Sequence, residues 1–487
     1  MTERTLPAPA AAPVAVDAAS TDSRPAGRSR PTVVLITLLT CQLMLILDVT
    51  VMNVAVPRIR EHLHFSATGV AWVLNSYTLV FGGLLLLGGR AGDLIGRRKL
   101  FVGGVGLFTL ASLAGGLATS AAWLVTARIV QGLGAAMAGP NTLALITTTF
   151  TETKARIRAL ALFSAMASGG FAIGLLVGGT LTELLSWRWV LFINVPVGAV
   201  ATVLAARYVP EPERHRGRLD LPGAVTATTG VAALVYAFIH AASDGWGSGT
   251  TLAALAVGLV GLAAFLTLEA RARQPLMPLW LFRDGNRLGA YANFFLGPMA
   301  MMSTFFFLTQ YLQGIRDFSP LRTGFAFLPM AAGMFGMTRV IPRLLPRLGP
   351  RPLTVVGSLL MVTGLAWLTQ LTPHSGYFSA LFGPMLVMGI GGGLGFAPLN
   401  VVIMSSVPPR DAGAAGGVLQ TMQQVGSTLG LAVLVTVFGT ASRHAAHHGS
   451  TPAHATVTGM TTVFTVAAAM AFCTVLVAST FRRPAPA

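Results

Sequence analysis

Read for its apolar positions, the chain breaks into long hydrophobic runs separated by short polar connections. From Pro31 almost to the C-terminus these runs recur, each near the ~20 residues that a helix needs to cross a hydrocarbon core of roughly 30 Å. Fourteen are counted between residues 32 and 480. Stretches such as Leu84 to Leu87 and Leu431 to Val435 are continuously apolar, whereas the strands of a membrane barrel alternate apolar and polar positions. Lipid offers no partner for backbone N–H and C=O groups, so each segment must bond its own. The pattern therefore predicts an all-α membrane protein with fourteen spans.

Composition agrees with this. With 53% hydrophobic and 10% charged residues in 487, and a mean hydropathy of +0.69, the chain is too apolar for soluble domains. The formal net charge of +17 would suit a nucleic-acid binder, but the placement of the charges points elsewhere. Of the 33 Lys and Arg, only Arg58, Arg60, Arg188, Arg316, Arg322 and Arg443 fall on the side away from the termini, and Arg128 falls inside a span. The remainder lie on the side of the termini. That is the positive-inside asymmetry. It places both termini in the cytoplasm of a bacterial cell and the chain in the inner membrane, with lipid rather than nucleic acid around it.

Other features narrow the chemistry. Residues 1–31 are rich in Ala, Pro and Ser and read as a disordered cytoplasmic tail; they lack a small-residue cleavage pattern, so the first span is expected to be retained. Cys41 and Cys473 fall in the first and last spans and imply neither a disulfide framework nor a metal cluster. His444, His447, His448 and His454 read as solvated residues of the last external loop rather than metal ligands. The run GIGGGLG (Gly389 to Gly395) sits inside a span with no phosphate-binding lysine, so it reads as helix packing. With no Walker loop either, ATP is not expected to drive this chain.

Two charged connections, Arg207 to Asp220 and Glu269 to Arg287, bracket a pair of spans without interior charge. Setting that pair aside leaves six spans on each side, as in carriers built from two pseudo-equivalent bundles. The expected organisation is a tail over 1–31, a six-helix bundle over 32–207, two extra central helices within 208–287, a second six-helix bundle over 288–480 and a cytoplasmic tail over 481–487. A short internal echo supports the repeat: GRRKLF from Gly96 and GPRPLTVVG from Gly349.

Specific motifs now carry a resemblance. The loop GRAGDLIGRRKL (Gly89 to Leu100) resembles the signature between the second and third helices of the major facilitator superfamily, with Ala91 and Leu94 as departures. Its Gly89 and Gly96 permit a tight turn, while Asp93, Arg97 and Arg98 supply charges that can cap helices and bridge the bundles. LDVTVMNVAVP (Leu47 to Pro57) is similar to the first-helix signature of the fourteen-spanner drug:proton antiporters, and LVTARIVQGLGAAMAGP (Leu124 to Pro140) to the Arg-containing fourth-helix motif. GGFAIGLLVGG (Gly169 to Gly179) resembles the antiporter motif through Gly170, Gly174, Gly178 and Gly179, with Leu175 where the motif has proline. TQYLQGIRDFSPLRTGFAFLP (Thr309 to Pro329) and GAAGGVLQTMQQVGSTLG (Gly413 to Gly430) extend the resemblance to about residue 435.

The resemblance implies a two-bundle fold and alternating access. An acid inside a span costs roughly 2.5–3.5 kcal/mol on insertion scales, so Asp48 is the candidate proton site and Arg128 the residue expected to modulate proton release from it. Asn53, Trp72, Asn75, Tyr77, Gln131, Tyr291, Asn293, Phe294, Gln310, Tyr311, Gln420 and Gln423 are candidates for the wall of a central cavity. Aromatic faces there would accommodate varied apolar cations. The expected partners are a small amphipathic substrate and protons, in a monomer with no cofactor, no metal and no enzymatic centre. A facilitator for one natural metabolite or self-made antibiotic stands as the alternative.

Overall fold

The computed structural model describes residues 31–66, 68–150, 152–212, 220–272, 275–405, 407 and 412–481. The terminal tails expected from the sequence lie outside them, apart from Pro31 and Phe481. Thirteen helices among the described residues are long and apolar enough to cross a membrane, and Thr153–Leu184 adds a fourteenth long helix.

In chain order the helices are α1 (Pro31–His62), α2 (Trp72–Ile95), α3 (Arg97–Gly116), α4 (Ala121–Thr149), α5 (Thr153–Leu184), α6 (Trp189–Tyr208) and α7 (Leu221–Asp244). They continue as α8 (Gly249–Arg271), α9 (Gly285–Gly314), α10 (Pro320–Leu348), α11 (Pro350–Leu368), α12 (Phe382–Ser405), α13 (Ala412–His447) and α14 (Pro452–Ser479). Hydroxyl or carboxylate caps start several of them: the side chains of Ser120, Asp220, Ser248, Asp284, Ser319 and Thr451 each accept a first-turn backbone N–H. Two helices are broken, α6 at Ile193 and α10 at Phe327. Each break lies just ahead of a proline, Pro196 or Pro329, whose missing N–H cannot bond the carbonyl one turn back.

Helices α1–α6 pack into one bundle and α9–α14 into another. The repeat hinted at by the sequence is visible in the backbone. Gly96 ends α2 and opens α3 with φ +125°, and Gly349 ends α10 and opens α11 with φ +77°, both in the left-handed region that a side chain would strain. The extra pair α7–α8, central in the chain as expected, sits beside the two bundles in space. Helix α7 lies on the flank where α2 meets α13, and α8 packs chiefly on α7, with only 11% of its apolar window buried. Leu79, Val231, Val235, Ile239 and Ala432 form the small core that holds α7 in that seam.

The larger cores divide unequally along the bundle axis. In the half remote from the termini, one core takes side chains from both bundles, among them Val51, Val56, Leu74, Phe306, Phe327 and Leu431. In the half nearer the termini there are two: one of first-bundle residues such as Leu38, Phe101 and Ala205, the other of second-bundle residues such as Tyr291, Ile403 and Leu419, joined by Phe265 of α8. Leu86 is the one first-bundle side chain packed against that last core among the described residues. The bundles are therefore fused at one end and separately packed at the other.

Candidate functional site

The fused end carries the inter-bundle hydrogen bonds. Thr309 Oγ1 of α9 donates to Asn53 Oδ1 of α1 at 3.0 Å, and Thr428 Oγ1 of α13 donates to Thr78 Oγ1 of α2 at 2.8 Å, both bonds buried. Gln313 Nε2 donates to the Val54 carbonyl at 2.9 Å, and the Leu321 N–H donates to Glu183 Oε2 at 2.9 Å. The glycines of α5 explain the close approach. A Cβ on Gly174 or Gly178 would run into Thr50 or Val51 of α1, and one on Gly179 would stand 2.7 Å from the Leu321 Cα and the Pro320 carbonyl oxygen of α10. Gly170 faces Leu43 and Ile46. The glycine row thus lets α5 touch α1 along its length and the opposite bundle at its end. Leu175, where the motif has proline, is fully buried, and its carbonyl lies against Gly324 of α10.

Beneath this seal lies an ion pair. Asp48 and Arg128 are both shielded from solvent, with Arg128 Nη1 2.5 Å from Asp48 Oδ2. Gln131 Nε2 and Asn194 Nδ2 donate to Asp48 Oδ1 at 3.3 and 3.1 Å. Gln131 is itself held, its Oε1 accepting from Arg128 Nη1 at 3.0 Å and its Nε2 donating to Ser112 Oγ at 2.8 Å. Arg128 Nε donates to the Val73 carbonyl at 3.0 Å, and its guanidinium lies 4.4 Å from the centre of the Tyr77 ring. Five helices of the first bundle and the ring of Tyr77 thus serve one carboxylate and one guanidinium. Arg128 Nη2 and the Tyr77 hydroxyl are buried without a hydrogen-bond partner. The ionised carboxylate is matched by a cation and two amide donors, the arrangement a buried charge needs.

Asp48 lies just past the midpoint of α1, on the side remote from the termini. It lines a cavity of about 150 Å³ between α1, α5 and α6. The sequence marked Asp48, Arg128 and Gln131 but missed Asn194 and Ser112. Asn194 was readable as an amide inside an apolar span; Ser112 was not distinguishable from any small packing residue.

The other expected residues are distributed differently. Asn53 serves the inter-bundle seam, and Asn75 is buried with its Nδ2 unpartnered. The other candidates for the cavity wall make the following contacts. Trp72 packs on Tyr236 of α7 with ring centres 6.4 Å apart, and Phe294 on Phe396 at 5.6 Å. The Tyr291 hydroxyl bonds the Ala415 carbonyl, the Tyr311 hydroxyl bonds the Thr372 carbonyl, and Asn293 bonds its own helix at the Gly289 carbonyl. Gln310, Gln420 and Gln423 are half-buried.

At the terminal end, Arg97 and Asp93 pair at 2.8 Å across the Gly96 turn, and the Arg98 N–H donates to Glu211 Oε1 at 3.2 Å. The Arg98 guanidinium also reaches the Ala206 carbonyl. A Cβ on Gly96 would collide with the Glu211 carboxylate, and Gly89 faces Pro140 of α4. These contacts tie α2 and α3 to α6 and α4 within the first bundle, where the sequence suggested a bridge between bundles. Glu211, in the loop after α6, was not anticipated. Nor was Glu269, a second buried acid, whose carboxylate accepts the backbone N–H groups of Leu276 and Met277 at the end of α8. Cys41 is buried, Cys473 is exposed, and neither is bridged. The rings of His444 and His448 stand 4.4 Å apart, but no three potential metal ligands converge among the described residues.

Two helical bundles sealed together at one end, with an ion pair buried under the seal, define a membrane carrier that works by rocking. The chain belongs to the Major Facilitator Superfamily, which it matches over residues 38–431. It is 43% identical to a puromycin resistance protein of Streptomyces alboniger, over 90% of this chain and 88% of that one. It is 42% identical to a cephamycin export protein of Amycolatopsis lactamdurans, over 87% and 88%. In fold it is similar to an auto-inhibited peptide transporter of the POT family (TM-score 0.65, 19% identity, 93% of this chain and 99% of that one). The human organic anion transporter MFSD10 is also similar in fold, with a TM-score of 0.58 at 15% identity over 92% and 98% of the two chains.

Proposed function

We propose that this protein exports amphipathic drugs or antibiotics from the cytoplasm in exchange for protons, as a monomeric carrier of the bacterial inner membrane with no enzymatic step and no cofactor but the proton. The observation that carries this reading is the Asp48–Arg128 pair, buried under the sealed end and backed by Gln131 and Asn194. A membrane retains such a charge at a cost, so a use for it is implied. Its relatives include a puromycin resistance protein and a cephamycin export protein, which supports the outward direction.

The charge asymmetry places the termini in the cytoplasm, so the sealed end is external and the conformation faces inward. In this state Asp48 gives up its proton and the ion pair forms. Substrate enters, the outer seal parts, and an external proton neutralises Asp48 and releases Arg128. Each charge moved inward draws ~2.3 kcal/mol from 100 mV of membrane potential. Purified protein in liposomes should show substrate-dependent proton flux that Asp48→Asn abolishes. Unchanged coupling in that variant would remove Asp48 from the mechanism. A narrower reading, an exporter for one self-made antibiotic, is favoured by the single compound after which each of these relatives is named; a susceptibility panel in a pump-deficient host separates one protected compound from many.

A further inference from the structure

The basic residues at the end nearer the termini are unevenly supplied with partners. Arg97 has Asp93, but Lys154 and Arg158 of α5 and Arg339, Arg343 and Arg347 of α10 are exposed and take part in no ion pair among the described residues. Acids are scarce around them. Residues 152–182 carry one, Glu152, and none occurs between Asp317 and Asp411. On α10 the three arginines follow one another every four residues, and the exposed ring of Phe335 precedes them by one turn, 5.9 Å from the Arg339 guanidinium. Arg343 Nη1 donates to the Arg339 carbonyl at 3.1 Å. A Cβ on Gly336 would meet nothing, so α10 is bare beside Phe335.

Where α5 and α10 touch, they run antiparallel, with Gly179 against Leu321 and Leu175 against Gly324. Carried toward the termini, that register sets Arg158 between Arg339 and Arg343, and Lys154 between Arg343 and Arg347. Lys154 and Arg158 also lie within about 60° of Gly179 around the helix at 3.6 residues per turn, on the side of the seam. In the present state the two rows are parted. Ala159 and Phe163 pack in the first-bundle core, while Ile341, Leu344 and Leu345 pack in a separate small core of the second bundle. Closing this end as the other end is closed would interleave five cations with Glu152 alone against them. Like charges brought together repel, so closure calls for an anion.

Depth selects which anion. At 1.5 Å per residue Arg158 stands about 25 Å along α5 from Leu175, most of the way across a hydrocarbon core of about 30 Å, so the cations lie at headgroup level with Phe335 on the hydrocarbon side of them. Guanidinium groups grip phosphate with two parallel N–H bonds. We infer that the parted ends of α5 and α10 bind the phosphate of an acidic phospholipid from the leaflet nearer the termini, which neutralises both rows and lets them close. The inference goes beyond the export reading, since it needs two bundles that rock but no particular substrate or coupling ion.

The test uses the full chain with spin labels at Thr148→Cys and Leu348→Cys, both exposed at this end, in a Cys473→Ser background. In nanodiscs of dioleoylphosphatidylcholine the long distance should dominate, and replacing part of that lipid by dioleoylphosphatidylglycerol should raise the short-distance population severalfold. Arg158→Gln with Arg343→Gln removes a cation from each row, so the distance distribution should become the same in both lipids. Native mass spectrometry should then show phosphatidylglycerol held about thirtyfold more weakly, the equivalent of ~1 kcal/mol for each charge removed. Lys99→Gln with Arg207→Gln takes as many exposed charges from the same end of the first bundle and should keep the wild-type lipid dependence. An equal loss in that second variant would mean a diffuse surface charge and overturn the site. The same short-distance population produced by inorganic phosphate in pure phosphatidylcholine would assign the gap to a free anion and overturn the lipid. A wild-type distribution indifferent to phosphatidylglycerol would overturn both, whether or not the protein exports a drug.

Discussion

Asp48 and Arg128 each need the other more than either helps the fold. Removing one partner of a buried pair strands a charge, at a typical cost of about 3–5 kcal/mol, whereas removing both is far cheaper. Arg128→Ala should therefore lower the unfolding temperature in detergent sharply, and adding Asp48→Asn should recover much of the loss. Additive losses would mean that the pair is not energetically coupled. Both charges were legible in the sequence because ionised groups are rare inside spans. Their supporting amides were less so, since an isolated Asn or Gln in a helix is indistinguishable from one that bonds its own backbone, as Asn293 does. The aromatic candidates show the same limit: the sequence does not name the partners that Trp72, Tyr291 and Tyr311 meet in Tyr236, Ala415 and Thr372.

Helix α5 shows what a motif means once its neighbours are known. In the sequence its glycines resemble the antiporter motif, and in space they serve two partners, α1 beside it and α10 across the seam. Gly179→Val would place a side chain where the Leu321 backbone lies, so the outer end could not close as it does here. Spin labels at Leu185 and Phe378, both exposed at that end, should report longer distances in this variant; an unchanged distribution would show that the Gly179 approach does not hold the seal. The extra helices α7 and α8 illustrate the reverse case. Hydropathy identified them correctly as spans, but their place on the α2–α13 flank depends on side chains such as Val235 and Ala432 from distant parts of the chain.

At the scale of the molecule, the unequal division of the larger cores decides the conformation: one shared core at the end remote from the termini, separate first- and second-bundle cores at the other. The buried bonds Thr309 to Asn53 and Thr428 to Thr78 stabilise that state. Hydrogen bonds between membrane helices average ~0.6 kcal/mol, so Thr309→Val with Thr428→Val should shift the closed-to-open ratio at the sealed end by roughly eightfold. The same pair of labels reads this as a larger population at long distance. No change in that population would assign the closure to apolar packing alone.

The amino-acid sequence by itself determined that this is a fourteen-span helical membrane protein of two six-helix halves, with one acid and one guanidinium singled out within the bilayer. Lipid imposes those features locally, through the length of apolar runs, the obligatory backbone bonding of each helix and the cost of an embedded charge. Only the tertiary structure decided that Asp48 meets Arg128 80 positions away and that Asn53 meets Thr309 256 positions away. It also placed Asn194 on the carboxylate, the extra helices on the flank and a cavity between α1, α5 and α6. These depend on which helix faces pack together, and such pairings arise from the shapes of many side chains acting jointly.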